Sequence, residues 1–335
     1  MTYPRPARTL RNSALAAAAS SLVLLAGCGT SQPTAQDEAK ATSEVTSAPI
    51  TLTDAARRTV ELPAPAEKVV VLEWQMVEDV LTLGVEPVGV ADVKGYNTWD
   101  TAADLDPTTQ DVGMRGEPNL DALYATDPDL VITEVYGPDD AVVKQLEEYD
   151  VPVLATLGAD GKDPIGQMKE TFTLVAQALG KEEKAEEVLA EFDQSLSEGR
   201  EAIEAADPDV TDFAYADAYV QGSTVSIRPF GQGSYVGEIG EELGLANAWK
   251  GKVDPAYGLG STDVEGIAQV GDARLFHTST DADTWLPRLK DNAVWTNAPF
   301  VKRDLLTPFP EGIWTFGGPR SGEQIIDAFV AGIDG

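Results

Sequence analysis

Aromatic and cationic side chains are the residues of this sequence that are best suited to hold a ligand. Trp99, Arg115 and Tyr136 each follow a predicted β-strand. Side chains that follow parallel strands gather at one edge of the sheet, in the crevice where open α/β sheets bind ligands. We therefore expect these three residues to face a common cleft. Two aromatic surfaces and one permanently charged guanidinium would then line that cleft.

The sequence lacks the usual catalytic and metal-binding patterns. His277 is the only histidine, which excludes histidine-based triads, zinc motifs with two histidines and three-histidine metal sites. Neither Gly-x-Ser-x-Gly nor Gly-x-x-x-x-Gly-Lys-Ser/Thr occurs. His277 ends an apolar run, so we interpret it as structural. Residues 231–237 differ from a dinucleotide-binding fingerprint by one extra residue before the last glycine, but glycine-rich turns are common wherever a strand meets a helix.

The acid-rich composition argues against nucleic acid as a partner. Lys and Arg number 24 against 56 Asp and Glu, which gives a formal net charge of −32. Binding to phosphate backbones needs basic patches, and this balance of charges does not favour them. We interpret most of the acids as a well-solvated surface that would suit an extracytoplasmic protein.

Parallel β-α-β units are the elements that would position the cleft residues. Between residues 69 and 136, apolar runs of strand length alternate with amphipathic segments of helix length. The pattern restarts at Phe213. Residues 264–276 then repeat the helix, acidic turn and strand of residues 120–132. The sequence thus indicates two similar α/β lobes with the binding cleft between them.

A hairpin and a helical tract accompany the two lobes. Residues 50–54 and 59–62 are predicted to pair as a hairpin. After the first lobe, apolar residues recur at helical spacing on both sides of Gly180, and the second helix runs from residue 181 to about 205. With 335 residues, of which 43% are hydrophobic, the chain is long enough to bury a core in each lobe. The predicted lobes comprise residues 50–163 and 206–335, with the helical tract at 164–205 between them.

The N-terminus has the pattern of a bacterial lipoprotein signal peptide. Three arginines precede an Ala/Leu-rich run, residues 13–26, that is too short to span a membrane comfortably. The run leads into Leu-Ala-Gly-Cys, which looks like a lipobox and ends at Cys28, the only cysteine. We predict a signal peptide over residues 1–27, lipidation of Cys28 and anchoring to the outer face of the cell membrane. Residues 28–49 are predicted to form a flexible tether, because they are rich in Ser, Thr, Ala, Gln and Glu.

Several motifs resemble those of one known family, and they occur in the same order along the chain. They are Leu-Glu-Trp at 72–74, Asp-Val-Gly-x-Arg-x-Glu-Pro at 111–118, Phe-Gly-Gln-Gly-Ser at 230–234, Leu-Ala-Asn-Ala-Trp at 245–249 and Trp-Thr-Phe-Gly-Gly at 314–318. From about residue 50 onward the sequence resembles the ferric-hydroxamate-siderophore-binding proteins of bacterial ABC importers, of the ferrichrome-binding type. The resemblance implies an α/β fold of two Rossmann-like lobes joined by a long bridging helix. It also implies a receptor rather than an enzyme, with only small closing motions.

The resemblance also implies which residues contact the ligand. The aromatic candidates are Trp99, Tyr136, Trp249, Trp314 and Phe316. Arg115 would donate to the hydroxamate oxygens around iron, and the Tyr136 hydroxyl would be a second donor. Because the siderophore already coordinates its iron, the protein needs no metal ligand or cofactor of its own.

Structural roles remain open for several of these residues. Each cleft tryptophan could instead belong to the core, which is our interpretation of Trp74, Trp285 and Trp295. Arg115 could form a structural salt bridge with Glu117 or another nearby acid.

Two features differ from the family pattern and bear on the ligand. Phe316 stands where some relatives have a tyrosine, so one hydrogen bond to the ligand would be missing. Arg228 and Arg320 lie beside cleft motifs, and three arginines in one cleft would favour an anionic ligand such as ferric citrate or a catecholate siderophore. More remote alternatives are a cobalamin or haem receptor and a tethered α/β enzyme.

The partners that the resemblance implies are an ABC permease with its ATPase, and the membrane through the lipid anchor. One acid on each lobe would dock onto arginines of the permease. The candidates are Asp139 or Asp140 on the first lobe and Glu265 on the second, although each could simply belong to a solvated face. We expect the protein to be a monomer and to bind no nucleic acid.

Overall fold

The computed structural model describes residues 48–222, 224–278 and 285–334. The predicted signal peptide, Cys28 and most of the predicted tether lie outside these residues. No helix in the described part of the chain is long and apolar enough to cross a membrane.

The first lobe is built on a parallel sheet of short, buried strands. In chain order its strands are β1 (Ile50–Thr53), β2 (Thr59–Leu62), β3 (Val69–Val71), β4 (Gly89–Val90), β5 (Gln110–Asp111), β6 (Gly113–Met114), β7 (Glu117–Pro118), β8 (Leu130–Val135) and β9 (Val153–Leu157). The parallel sheet has the order β5-β4-β3-β8-β9. The predicted hairpin is confirmed, because β1 pairs with β2 in antiparallel register. A second hairpin, β6 with β7, lies at the edge of the cleft.

Helices cover both faces of this sheet, as buried parallel strands require. They are α1 (Trp74–Thr82), α2 (Val93–Trp99), α3 (Leu120–Tyr124) and α4 (Ala141–Leu146). One core cluster packs β3 and β8 against α1, and a second cluster fills the opposite face around Val70, Val131 and Leu146.

Two long helices connect the lobes. They are α5 (Pro164–Leu179) and α6 (Glu182–Ala206). Gly180 ends α5 in the left-handed conformation, with φ at 62°, where a glycine is favoured. One face of α6 is buried through Val188, Phe192 and Ile203, and the helix packs against α5 and against the last helix of the chain. The predicted bridging helix is therefore confirmed.

The second lobe repeats the α/β architecture around a mixed sheet. Its strands are β10 (Asp212–Gln221), β11 (Thr224–Phe230), β12 (Ala246–Asn247), β13 (Arg274–His277) and β14 (Leu306–Pro308). Its helices are α7 (Tyr235–Glu242), α8 (Val264–Ile267), α9 (Leu286–Leu289), α10 (Ala293–Asn297), α11 (Pro299–Lys302) and α12 (Pro319–Asp334). The sheet order is β11-β10-β13-β14. The strand β11 runs antiparallel to β10, whereas β13 and β14 continue the sheet in parallel, and β12 pairs in parallel with the start of β10. The predicted α/β fold of two lobes and a bridging helix is confirmed.

Candidate functional site

A cleft of about 480 Å³ lies between the two lobes. The first lobe lines it with Glu73, Trp74, Trp99, Arg115, Glu134 and Tyr136, and the second lines it with Asp217, Arg228, Tyr257, Thr278, Trp314 and Phe316, among others. All but two of the predicted ligand-binding residues are therefore brought together. The exceptions are Trp249 and Arg320.

Arg115 is held between two tryptophans in this cleft. It lies in the turn between β6 and β7, and its guanidinium carbon is 3.8 Å from the ring centre of Trp74 and 5.3 Å from that of Trp314. The two indoles pack edge to face, with ring centres 4.8 Å apart. Cation–π contacts of this kind fix the plane of the guanidinium. Arg115 is thus held by aromatic faces that themselves line the cleft.

A single acid among the described residues accepts a hydrogen bond from the Arg115 guanidinium. Nη1 donates to Glu73 Oε1 over 2.5 Å, so the salt-bridge partner is Glu73 and not Glu117. Glu73 also caps α1 by accepting from the Trp74 backbone N–H. Burial raises the pKa of Glu73, and Arg115 opposes that rise. Since only Nη1 is engaged in the described part of the chain, Nε and Nη2 can donate to a ligand.

Trp74 and Trp99 differ from their predicted positions. Trp74 is 4% exposed, as a core residue would be, yet its face carries Arg115 and lines the cleft. Trp99 does not follow a strand, because residues 93–99 form the helix α2, which Asp92 caps by accepting from Gly95 N–H. Trp99 is the last residue of that helix and is half-buried at the cleft.

Tyrosines from both lobes meet at an acid in the cleft. Tyr136 directly follows β8 and is 78% exposed, with its ring centre 6.5 Å from that of Tyr257. The Tyr257 hydroxyl donates to Glu134 Oε1 over 2.6 Å, which links the second lobe to the first. Burial raises the pKa of Glu134 to about 7, and the charge of Glu73 adds to the rise. The hydrogen bond from Tyr257 opposes it.

Arg228 forms a bidentate ion pair with Asp217 on the opposite wall of the cleft. Arg228 and Asp217 are cross-strand neighbours on β11 and β10. Nε donates to Asp217 Oδ1 over 2.9 Å, and Nη2 donates to Oδ2 of the same carboxylate. The guanidinium also lies 5.4 Å from the ring centre of Phe316. Because the paired donors of Arg228 already hold a carboxylate, little of its charge is available to a ligand.

A row of aromatic rings connects the two arginines. Trp314 packs edge to face with Phe316 at 5.1 Å, and Phe316 packs in the same way with Tyr257 at 5.8 Å. Trp314 and Phe316 lie in the segment between β14 and α12. The cleft therefore offers a broad aromatic surface with few free hydrogen-bond donors.

The prediction that Trp249 lines the cleft is wrong. It is 8% exposed and belongs to the core cluster of the second lobe, together with Ile227 and Val264. Glycines allow this packing, since a Cβ atom added at Gly251 would lie 2.2 Å from the indole ring. The indole is therefore enclosed by its own lobe and does not reach the cleft.

Arg320 is likewise absent from the cleft. It lies in the first turn of α12, where Nη2 donates to Glu191 on α6 over 2.5 Å and Nη1 donates to Glu323 over 2.9 Å. Neighbouring acids on two helices hold it away from the ligand region. The expectation of three arginines in one cleft is thus wrong. The number of arginines in the cleft therefore no longer favours an anionic ligand.

Sequence reasoning missed the acids of the cleft and one tyrosine. They are Glu73, Glu134, Asp217 and Tyr257. Glu134 carried a signal, because it is the only charged residue in the apolar strand β8. Asp217 alternates with apolar residues in β10, as a residue on an accessible face of a strand would. Tyr257 lies in a turn and carried no comparable signal.

The remaining predicted residues lie outside the cleft. Asp139 and Glu265 are exposed, one on each lobe. Asp140 caps α4 by accepting from Val142 N–H, so it has a structural role in addition to any docking role.

His277 is 4% exposed, and burial lowers its pKa to about 4, which agrees with a structural histidine. Trp285 and Trp295 are core residues, as predicted. Across the described ranges, no cluster of three or more His, Cys, Asp or Glu could hold a metal ion.

Comparison with known proteins decides the family. Residues 69–305 match the periplasmic binding protein family. This chain belongs to that family. The members of this family are substrate-binding proteins and not enzymes.

Individual members of the periplasmic binding protein family are similar to this chain over most of their length. The iron(3+)-hydroxamate-binding protein FhuD of Escherichia coli is 27% identical over 274 residues, which are 80% of this chain and 87% of the relative. The Fe(3+)-citrate-binding protein YfmC of Bacillus subtilis is 29% identical over 263 residues, 77% of this chain and 78% of the relative. The solved structure of the siderophore-binding protein FhuD from Vibrio cholerae, bound to Fe3+-Desferal, superposes with a TM-score of 0.69 at 24% identity. It covers 80% of this chain and 97% of that one, which shows a shared fold.

Proposed function

We propose that this protein binds a ferric siderophore of the hydroxamate class in the interlobe cleft and delivers it to an ABC permease. The observation that carries the proposal is Arg115, whose guanidinium is stacked on Trp74 and retains donors for a ligand. A ferric hydroxamate presents a ring of paired oxygen atoms around iron. A planar guanidinium matches such a pair of acceptors.

The aromatic lining supports a bulky ligand of low polarity. Trp74, Trp99, Trp314 and Phe316 line one cleft, and buried aromatic surface contributes about 25 cal/mol per Å². The siderophore supplies every iron ligand, so the absence of a metal cluster among the described residues is compatible with iron transport. Relatives named for hydroxamate and for citrate binding both have comparable identity, so their names alone do not decide the ligand class.

The ion pairs favour the hydroxamate over ferric citrate. Arg228 is already neutralised by Asp217, and Arg320 is outside the cleft. An anionic chelate would therefore find one partly free cation, Arg115, next to the carboxylate of Glu73. A neutral chelate needs no further cation.

Tryptophan fluorescence titration tests the proposal, since three indoles line the cleft. Ferrioxamine B, ferrichrome, ferric citrate, a ferric catecholate, haem and cobalamin are the ligands to compare. We expect submicromolar quenching by the two hydroxamates. Arg115→Ala removes two charge-assisted donors, each of which contributes about 1.5–3 kcal/mol, so we expect affinity to fall by at least about a hundredfold. Arg320→Ala is the matched control and should bind as the wild type does. Absence of a hydroxamate response would refute the ligand class.

Delivery to a permease is the second part of the proposal. Asp139 and Glu265 are exposed on separate lobes, and Asp140 adjoins the first of them, which suits recognition by basic residues of a partner. A variant in which both charges are reversed, by Asp139→Lys and Glu265→Lys, should lose iron uptake in cells and keep its ligand binding. Glu201→Lys, at an exposed position on α6, is the control. Normal uptake by the double variant would contradict the docking assignment.

Anchoring through Cys28 completes the proposal. Two or more acyl chains hold a protein stably on a membrane, whereas one chain holds it only marginally. We expect Cys28→Ser to release the protein from the membrane fraction without loss of siderophore binding. Retention of this variant in the membrane fraction would contradict the anchor.

A further inference from the structure

We infer that the acids of the cleft select the net charge of the ferric chelate, with Glu134 as the specificity-determining residue. Neutral and cationic chelates would be accepted and anionic chelates disfavoured. This inference rests on the proposed function and extends it, because it names the feature of the siderophore that the cleft distinguishes.

The first observation is the balance of charged side chains that line the cleft. Arg115 and Arg228 face three acids, Glu73, Glu134 and Asp217. Glu73 and Asp217 each accept hydrogen bonds from one arginine. Among the described residues no cation forms an ion pair with Glu134. When all five groups are ionised, the cleft thus carries an excess of negative charge that is centred on Glu134.

The second observation is that the Glu134 carboxyl group is held in place. Tyr257 donates to Oε1 from the opposite lobe over 2.6 Å. The backbone of Gly158 lies against both groups, because a Cβ atom added there would be 2.2 Å from Glu134 Oε1 and 2.4 Å from the Tyr257 hydroxyl. The carboxyl group therefore cannot swing away from a ligand without breaking an interlobe contact. The hydroxyl of Tyr136 also donates to this carboxyl group, so a residue of each lobe holds it.

The chemistry of iron chelates makes this fixed charge selective. Three hydroxamate groups, each a monoanion, neutralise Fe(III), whereas three catecholate dianions leave a trianion. A carboxylate in a partly desolvated cleft repels the trianion and attracts an ammonium group on a hydroxamate ligand. A site can gain specificity by repelling the wrong ligand as well as by attracting the correct one. Arg115 would hold the iron–hydroxamate core, and Glu134 would sense the charge of the rest of the ligand.

Ferrioxamine B and its N-acetyl derivative provide the test, because they share one iron core and differ by a single ammonium charge. We expect the wild type to bind the cationic form about tenfold more tightly at low ionic strength, and the preference to shrink as salt screens it. Glu134→Gln retains an acceptor for Tyr257 and has nearly the same shape. It should abolish the preference and strengthen binding of a ferric tris-catecholate about tenfold. Glu238→Gln, at a half-buried acid on α7 outside the cleft, should leave the preference unchanged.

The outcomes separate this inference from the proposed function. If both ferrioxamines bind the wild type equally and Arg115→Ala still weakens binding by at least about a hundredfold, charge selection is wrong and siderophore binding stands. An unchanged preference in Glu134→Gln, with native circular dichroism, would overturn the assignment to this residue. If neither ferrioxamine binds the wild type, the proposed function fails and the inference fails with it.

Discussion

Glu78 joins the two lobes at a buried contact, and its removal should destabilise the whole protein. It lies on α1 and is fully buried. Its Oε1 atom accepts from the backbone N–H groups of Arg320 and Ser321, each over 2.9 Å. Its Oε2 atom accepts from Gly318 N–H over 2.9 Å and from the Ser321 hydroxyl over 2.6 Å. A residue of the first lobe thus caps α12 of the second lobe.

The magnitude follows from the donors that would be left without a partner. The first N–H groups of a helix have no partner within the helix, and each buried donor that loses its acceptor costs about 1–3 kcal/mol. Three backbone donors and one hydroxyl converge on Glu78, but water can enter the space that Glu78→Ala leaves. We expect a loss of about 4 kcal/mol in the free energy of unfolding. Glu78→Gln keeps one acceptor oxygen and should lose about half of that.

Urea unfolding followed by tryptophan fluorescence measures this loss. Glu201→Ala, which removes an exposed glutamate from α6, is the matched control and should change the free energy of unfolding by less than about 0.5 kcal/mol. Siderophore affinity should fall together with stability in Glu78→Ala, because the capped helix follows the segment that carries Trp314 and Phe316. A Glu78→Ala protein within about 1 kcal/mol of the wild type would refute the reasoning.

Three further predictions concern titration and packing. Because the pKa of Glu134 is about 7, the preference for cationic ferrioxamine B should rise as pH rises from 6 to 8, and this pH dependence should vanish in Glu134→Gln, as measured by titration at each pH. Asp79 is buried, and neither of its carboxylate oxygens is bonded by a described residue. Burial raises its pKa well above the usual value, so folding takes up a proton and stability falls as pH rises. Asp79→Asn should therefore raise the melting temperature at pH 8 and have a smaller effect near pH 4. Trp249→Ala should cost about 3–5 kcal/mol in urea unfolding, as core tryptophans do, whereas Trp99→Ala should weaken ligand binding with a smaller loss of stability.

The fold was accessible from the sequence because it depends on local periodicity. Apolar runs of strand length alternate with amphipathic helical segments, and this alternation predicted the parallel strands β3, β4 and β8. The long apolar stripe after Gly180 predicted α6 in the same way. Trp99 shows where the method fails, because a short polar helix of seven residues has too few turns to display a helical period.

The candidate site was predicted in part, for a related reason. Tyr136 directly follows β8, and topology alone brings such a position to the edge of the sheet that binds ligands. Arg115 lies instead in the turn of the separate β6–β7 hairpin, which also borders the cleft. Trp249 and Arg320 also lie in or beside motifs that resemble those of the family, yet packing within the second lobe and ion pairs on α6 and α12 turn them away. Sequence position does not reveal the direction in which a side chain points.

By itself, the sequence determined the α/β lobes, the long helix α6 and an aromatic cleft with Arg115, because these depend on periodicity and on strand ends. That α6 bridges the lobes was implied by the resemblance to a known family. Only the tertiary structure decided which acid meets which cation. Arg115 bonds Glu73 across 42 residues, and Tyr257 bonds Glu134 across 123 residues. Such pairs form when the lobes pack, and no local pattern of residues encodes the distance between two carboxylates in space. The charge of the cleft is therefore a property of the folded molecule.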